Sequence, residues 1–291
     1  MRTPGPSRAG VSSPSCPYCG APGRDLGGLH WTDPGSGRPG KTLKRRRRFR
    51  RTRRFLAMTV ALVLLGGIIF AGLLIVAPSV ANAPALARAL DKTHHATYPG
   101  QQVPERFAAS LVATEDHRFY SEAGIDPFAI ARVTTGYVTG KPDQGGSTLY
   151  QQLAKILYLP GPSGVLGKAE QILLGVKLAL SYPKAKILQM YSDVAYFGDG
   201  YYGLQAASCG YFGVAPAALT WPQAALLAGL VQAPSVYDPV AHSALARARE
   251  AHVLGRLAAT GTLTRAQAER AYRQPLHLTD GHPGRCTATA G

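Results

Sequence analysis

Glu115 and Asp116 stand side by side after the apolar run SLVA, and Glu122 and Asp126 follow within eleven residues, in a chain with only 16 acidic residues. A carboxylate within hydrogen-bond reach of a hydroxyl can take its proton as that oxygen attacks, which is general-base chemistry. The same pair also reads as the solvated end of an apolar helix, and Asp126 as the cap of a helix starting at Pro127. Lys155 lies one helical turn from Gln151 and Gln152 in LYQQLAKILYL. A cation on that face suits a phosphate; the plain alternative is a solvated lysine. Two Gly-rich stretches, GKPDQGGST (140–148) and FGDGYYG (197–203), could turn backbone amides towards an anionic ligand. Neither is a GxxxxGK[ST] loop, and each by itself reads as an ordinary turn.

These groups sit among helix patterns. VPERFAASLVATEDHRF spaces Val103, Phe107, Leu111 and Val112 helically, and KAEQILLGVKLALSY and PKAKILQMYSDVAYF follow, the second opened by Pro183. LTWPQAALLAGLVQAP (219–234) starts at Thr220-Trp-Pro and stops at Pro234. AHSALARAREAHVLGRLAATG and TRAQAERAYRQP complete the set, with Gly261 and Pro275 as stops. No alternating strand pair and no internal repeat stands out, so the fold class is mostly α.

The net charge of +16 is lopsided: residues 1–54 carry 14 Lys/Arg against 2 Asp/Glu, and the remaining 237 residues carry 18 against 14. That argues against a nucleic-acid partner for the whole protein. The basic run KTLKRRRRFRRTRR (41–54) leads into 23 uncharged residues, 55–77. As a helix these would span about 34 Å, enough for a bilayer core. The cationic flank favours a cytoplasmic N-terminus and an extracytoplasmic remainder, anchored in the cell membrane by a single pass. A cleaved signal is the competing reading, with ANA (81–83) as small residues, but 23 residues is long for a signal core. The expected organisation is a disordered basic tail (1–54), a transmembrane helix (55–77), a stalk with an entry helix (78–100), a globular domain (101–278) and a tail (279–291). Cys16 and Cys19 form one CxxC whose second half is missing, so a reduced tail is the simpler reading than a zinc site. A disulfide between Cys209 and Cys286 is open outside the cell, without support from the spacing.

Taken in order, ATEDHRFYSEAGID, GGSTLYQQLAK, GKAEQILL, KILQMYSDVAYFGDGYYGLQAASCGYFG and LTWPQAALLAGLVQAPSVYDP resemble the peptidoglycan glycosyltransferases. That module occurs in class A penicillin-binding proteins and in monofunctional biosynthetic transglycosylases. The resemblance covers about residues 100–275, and the monofunctional arrangement fits best. It implies a lysozyme-like helical glycosyltransferase domain behind a single transmembrane helix. It further implies polymerisation of lipid II into glycan strands, with inversion at the anomeric carbon and release of undecaprenyl diphosphate. On this resemblance Glu115 is the catalytic base and Asp116 the second acidic position, with a supporting role. Phe119 and Gly124 look structural, and Glu122 stands where the family commonly has His. Ser147, Thr148, Gln151 and Gln152 match the family's GGST..QQ block as substrate-binding residues, with Tyr150 in place of the usual Thr. Lys155 matches a lysine near the donor diphosphate.

The third block departs from the family. Where the family reads Arg-Lys-x-x-Glu, this chain aligns Gly167, Lys168 and Gln171, so Lys168 survives and Gln171 replaces a second carboxylate. Glu170 is adjacent but turned by about 100° on a helix. A donor-side Arg is also missing from GPSGVLG (161–167). Diphosphate neutralisation would then fall on Lys155, Lys168 and a divalent cation, Mg²⁺ or Mn²⁺. The implied partners are lipid II, the growing strand, the membrane and other cell-wall synthesis proteins. The alternatives are a degenerate homologue that binds lipid II or cell-wall enzymes without catalysis, and a lysozyme-like hydrolase. SYPK (181–184) spells SxxK but lacks SxN and KTG partners downstream, so it reads as coincidence.

Overall fold

The structure, a computed structural model, describes residues 41–97, 99–122, 124, 147–161 and 164–279. Cys16, Cys19, Asp126, residues 140–146 of the first Gly-rich loop and Cys286 lie outside the described residues. The chain divides into two units, 1–63 and 64–291, the boundary falling inside a long first helix.

That helix, α1 (Lys41–Val76), begins in the basic run and continues through the apolar one. Its stretch Thr52–Val76 is long and apolar enough to cross a membrane, and none of it is buried. Nine further α-helices follow among the described residues: α2 (Ala83–Thr93), α3 (Glu105–Glu115), α4 (Leu149–Tyr158), α5 (Val165–Ser181), α6 (Lys184–Val194), α7 (Leu204–Phe212), α8 (Trp221–Leu230), α9 (Ser243–Ala259) and α10 (Arg265–Arg273). No strand occurs among them; an isolated bridge between Tyr196 and Tyr202 closes the second Gly-rich loop. The mostly α expectation holds.

The punctuation works through hydrogen bonds. Thr220 and Gln223 form a capping box at the start of α8, as Thr264 and Gln267 do for α10. Pro183 precedes α6, where its missing N–H costs nothing. Every residue of α8 from Pro222 to Leu230 is buried. A helix buried all round needs neighbours all round, and α3, α7, α9 and α10 supply them. A second group packs α4 against α5 and α6, with α2 on α6. Gly175 of α5 permits that closeness, since a Cβ there would lie 3.0 Å from Gln151 Cγ and 3.2 Å from its backbone N.

The segment read as a stalk contributes to this core, because Val80, Ala83 and Ala87 are buried. Its beginning is held by side chains of α5 and its neighbours. Lys177 Nζ donates to the carbonyls of Ala77 and Pro78 at 2.6 and 3.0 Å, and the Tyr182 hydroxyl to Val80 O at 3.0 Å. Cys209 is disulfide-bonded.

Candidate active site

Glu115 is the last residue of α3, and the helix stops because Asp116 leaves helical geometry at φ −156°, ψ 70°. This break separates the two acids. The Asp116 carboxylate is buried and accepts from Leu149 N at 2.9 Å, capping the first turn of α4. Asp116 thereby fixes the start of α4 against the end of α3, which brings Gln152 to Glu115.

Glu115 itself faces a cleft of about 830 Å³, together with Ser147, Gln152, Lys155, Lys168 and Gln171. Its Oε2 accepts from Gln152 Nε2 at 3.1 Å and its Oε1 from Arg249 Nη2 at 3.1 Å. The Gln152 amide is oriented by the Tyr191 hydroxyl, which donates to its Oε1 at 2.8 Å. Arg249 is held in turn by Gly229 O at 3.1 Å and lies over the Tyr237 ring at 5.6 Å. The Glu115 side chain is 12% exposed. Burial pushes its carboxyl above the ordinary value, while Gln152 and Arg249 pull it back. The result is a shielded but charge-balanced carboxylate, suited to accepting a proton.

The cationic end belongs to α4 and α5. Lys168 Nζ donates to Ser147 Oγ at 2.6 Å and, more weakly, to the buried Gln171 Oε1 at 3.4 Å. Partial burial and then the nearby charge of Lys155 lower its pKa, as expected for two cations facing one space. Thr148 and Gln151 are placed differently. Thr148 caps α4, accepting from Gln151 N at 3.3 Å, and Gln151 is buried against Gly175. Neither lines the cleft; both shape the helix that carries Gln152 and Lys155.

The loop after Glu115 is fastened by Lys184, whose Nζ donates to Phe119 O at 2.8 Å, Glu122 O at 2.7 Å and Tyr150 Oη at 3.3 Å. Tyr150 stacks on Phe119 with centroids 5.1 Å apart. The lysine of SYPK thus ties down backbone carbonyls.

Magnesium and manganese favour carboxylate-rich oxygen sets. The described residues of the cleft offer one carboxylate, Glu115, engaged by Arg249 and Gln152. They do not fit a divalent cation held by the protein, and the described residues contain no cluster of three or more metal-ligating side chains.

Sequence reading missed Arg249, Tyr191 and the aromatic residues His94, Tyr196 and Tyr202 that also line the cleft. Arg249 lay in a helix pattern noted only for its period, and its partner is 134 residues away. No local signal links the two.

The profile of the transglycosylase family matches residues 83–258, more than half of the chain. Penicillin-binding protein 1A of Aquifex aeolicus is 40% identical over 176 residues, 60% of this chain and 24% of that protein. Penicillin-binding protein 1F of Bacillus subtilis is 35% identical over 178 residues, 61% of this chain and 25% of its own length. The chain thus spans about a quarter of these relatives. A Cupriavidus necator protein whose name marks it as a candidate transglycosylase is 34% identical over 180 residues, 62% of this chain and 78% of that one. A stalk helix, an acid at the break of α3 and a Gln-bearing α4 beneath it all fall inside the matched span, and the chain belongs to the transglycosylase family of peptidoglycan glycosyltransferases.

Proposed function

We propose that this protein is a membrane-anchored glycosyltransferase that polymerises lipid II. The observation that carries the reading is one shielded, Arg-paired carboxylate sharing a cleft with two lysines. Glu115 takes the proton from the 4-hydroxyl of the incoming lipid II as that oxygen bonds to the anomeric carbon of the growing strand. The bond from that carbon to the diphosphate oxygen breaks, and undecaprenyl diphosphate leaves with the electron pair. Attack opposite the leaving group inverts the centre. Lys155 and Lys168 meet the charge of the departing diphosphate. Asp116 and Thr148 hold α4 in register, while Ser147 and Gln171 orient Lys168. The α1 span keeps the cleft at the membrane that holds the prenyl tails, with the N-terminus cytoplasmic. Other cell-wall synthesis proteins are natural partners for such a polymerase.

The test uses full-length protein in detergent with labelled lipid II, with and without Mg²⁺, and glycan products resolved on a gel. Polymer from the parent chain that disappears in Glu115→Gln supports the reading. A second reading rests on Gln171, which stands where the family carries a carboxylate: a homologue that binds lipid II without polymerising it. Binding without polymer in the parent, with polymer appearing in Gln171→Glu, selects that alternative.

A further inference from the structure

The buried stripe of α2 is Ala83, Ala87 and Asp91, each four residues after the last, so a carboxyl stands where the pattern calls for a third apolar side chain. Asp91 is 1% exposed, and neither of its carboxyl oxygens has a hydrogen-bond partner. The helix on which α2 packs, α6, adds a second buried acid, Asp193. Its Oδ1 accepts from Gln189 Nε2 at 2.8 Å and from Gly100 N at 3.2 Å, while its Oδ2 has no partner. Lys186 of α6 is the cation that acts on Asp193. The other charged groups of the surrounding helices are placed differently. Arg88, Lys92 and His95 are exposed, His94 stacks on Tyr202, and Lys155 lines the cleft. Lys184 holds the carbonyls of Phe119 and Glu122, and Lys177 those of Ala77 and Pro78. The hydroxyls of Tyr158 and Tyr191 go to Asn82 and Gln152.

We propose that Asp91 and Asp193 form a proton-dependent latch that holds α2 on α6 and thereby keeps one wall of the cleft in place. The pair stands directly behind that wall. Leu90, next to Asp91, lines the cleft, and so do Val194, next to Asp193, and His94 at the end of α2. Tyr191, which orients Gln152, lies two residues before Asp193 on the same helix. Protonated carboxyls leave little charge in the seam. Once both acids ionise, two like charges remain in a dry space that offers Asp91 no donor, and opening α2 to water relieves them. Burial holds both acids above their ordinary range, Asp91 at about 7 and Asp193 at about 6. The folded pair therefore keeps protons that the opened pair gives up, so the latch is closed at low pH and released as pH rises through about 6 to 7. The latch stands on the packing alone; its control of polymerisation rests on the glycosyltransferase reading.

Amide hydrogen exchange on full-length protein in detergent, corrected for the intrinsic rate at each pH, reads the opening of α2 against that of the buried α8. In the parent, α2 is expected to be far less protected than α8, and its protection to fall about tenfold to hundredfold between about pH 5.5 and about pH 8. Asp91→Asn is expected to hold α2 protection nearly constant over that range. Asp193→Asn, which leaves Asp91 buried but removes its like-charged neighbour, should make the fall shallower. Lipid II polymerisation, followed in parallel, should decline across the same range in the parent and decline less in Asp91→Asn. The proposal is overturned if α2 protection in the parent does not change with pH, if α2 exchanges only together with α8, or if both variants follow the parent. Identical pH profiles of polymerisation in the parent and Asp91→Asn would overturn the control of the cleft. Release of α2 at high pH with no polymer at any pH would defeat the proposed activity and leave the latch standing.

Discussion

The two ends of the cleft solve opposite electrostatic problems. At one end Glu115 is shielded, and its charge is met by Arg249 while Gln152, locked by Tyr191, completes its hydrogen bonding. At the other, Lys155 and Lys168 face the same space, and the bonds from Lys168 go to the neutral Ser147 and Gln171. The base end is balanced within the protein. The lysine end keeps positive charge available, which is the condition for receiving an anion. On the proposed reading, a proton acceptor is held ready before substrate arrives, whereas a leaving diphosphate brings its own negative charge.

Breaking the base end should have the largest effect. Glu115→Gln preserves shape and removes the acceptor, and polymerisation is expected to fall by about 10³-fold or more while lipid II binding persists. Lipid II turnover beside a binding assay checks both halves. Next is Arg249→Met, which leaves Glu115 buried without its cation. The Glu115 carboxyl then rises further, so the acid limb of the kcat/KM profile should move to higher pH, with activity at neutral pH down roughly 10–100-fold. An unmoved acid limb would mean that Arg249 does not set the charge state of the base.

The lysine end is sharpened by Gln171→Glu. A carboxylate 3.4 Å from Lys168 Nζ would neutralise the charge offered to an anion. Inorganic pyrophosphate binding by calorimetry in EDTA is expected to weaken about threefold to tenfold. Equal or tighter binding would show that this end is not organised for a diphosphate.

An effect of another kind, on folding stability, lies where α2 packs on α6. Asp91 is buried there, and neither of its carboxyl oxygens has a hydrogen-bond partner. Burial, and then the charge of Asp193, push it up to about 7. Asp193 rises to about 6 through burial, although Gln189, Gly100 N and Lys186 oppose the shift. The folded state therefore keeps protons that the unfolded chain gives up near pH 4. This contribution to stability is full below about pH 4 and is lost as pH rises through about 7. Asp91→Asn should flatten that decline and stabilise the protein at pH 8 by roughly 1–2 kcal/mol, read by denaturant unfolding across pH.

Much of the site's chemistry was legible because it is local. The carboxylate pair at 115–116 and Lys155 one turn from Gln152 are both visible in short stretches. The different fates of Glu115 and Asp116 were not. They follow from a single non-helical residue that sends one side chain into the cleft and the other to Leu149 N.

The sequence by itself determined the apolar span, the helix starts at Pro183 and Thr220 and the order of the motif blocks, since periodicity and Pro and Thr punctuation act within a few residues; the stop read at Pro234 lies beyond the end of α8 at Leu230, and α1 begins at Lys41, within the segment read as a disordered tail. The tertiary structure alone decided that Arg249 answers Glu115 across 134 residues, and that His94 of the stalk stacks on Tyr202. The reason is physical. These partners are brought together by the packing of α8, buried from Pro222 to Leu230, against α3 and α9, and of α2 against α6, and such packing is a property of the whole core.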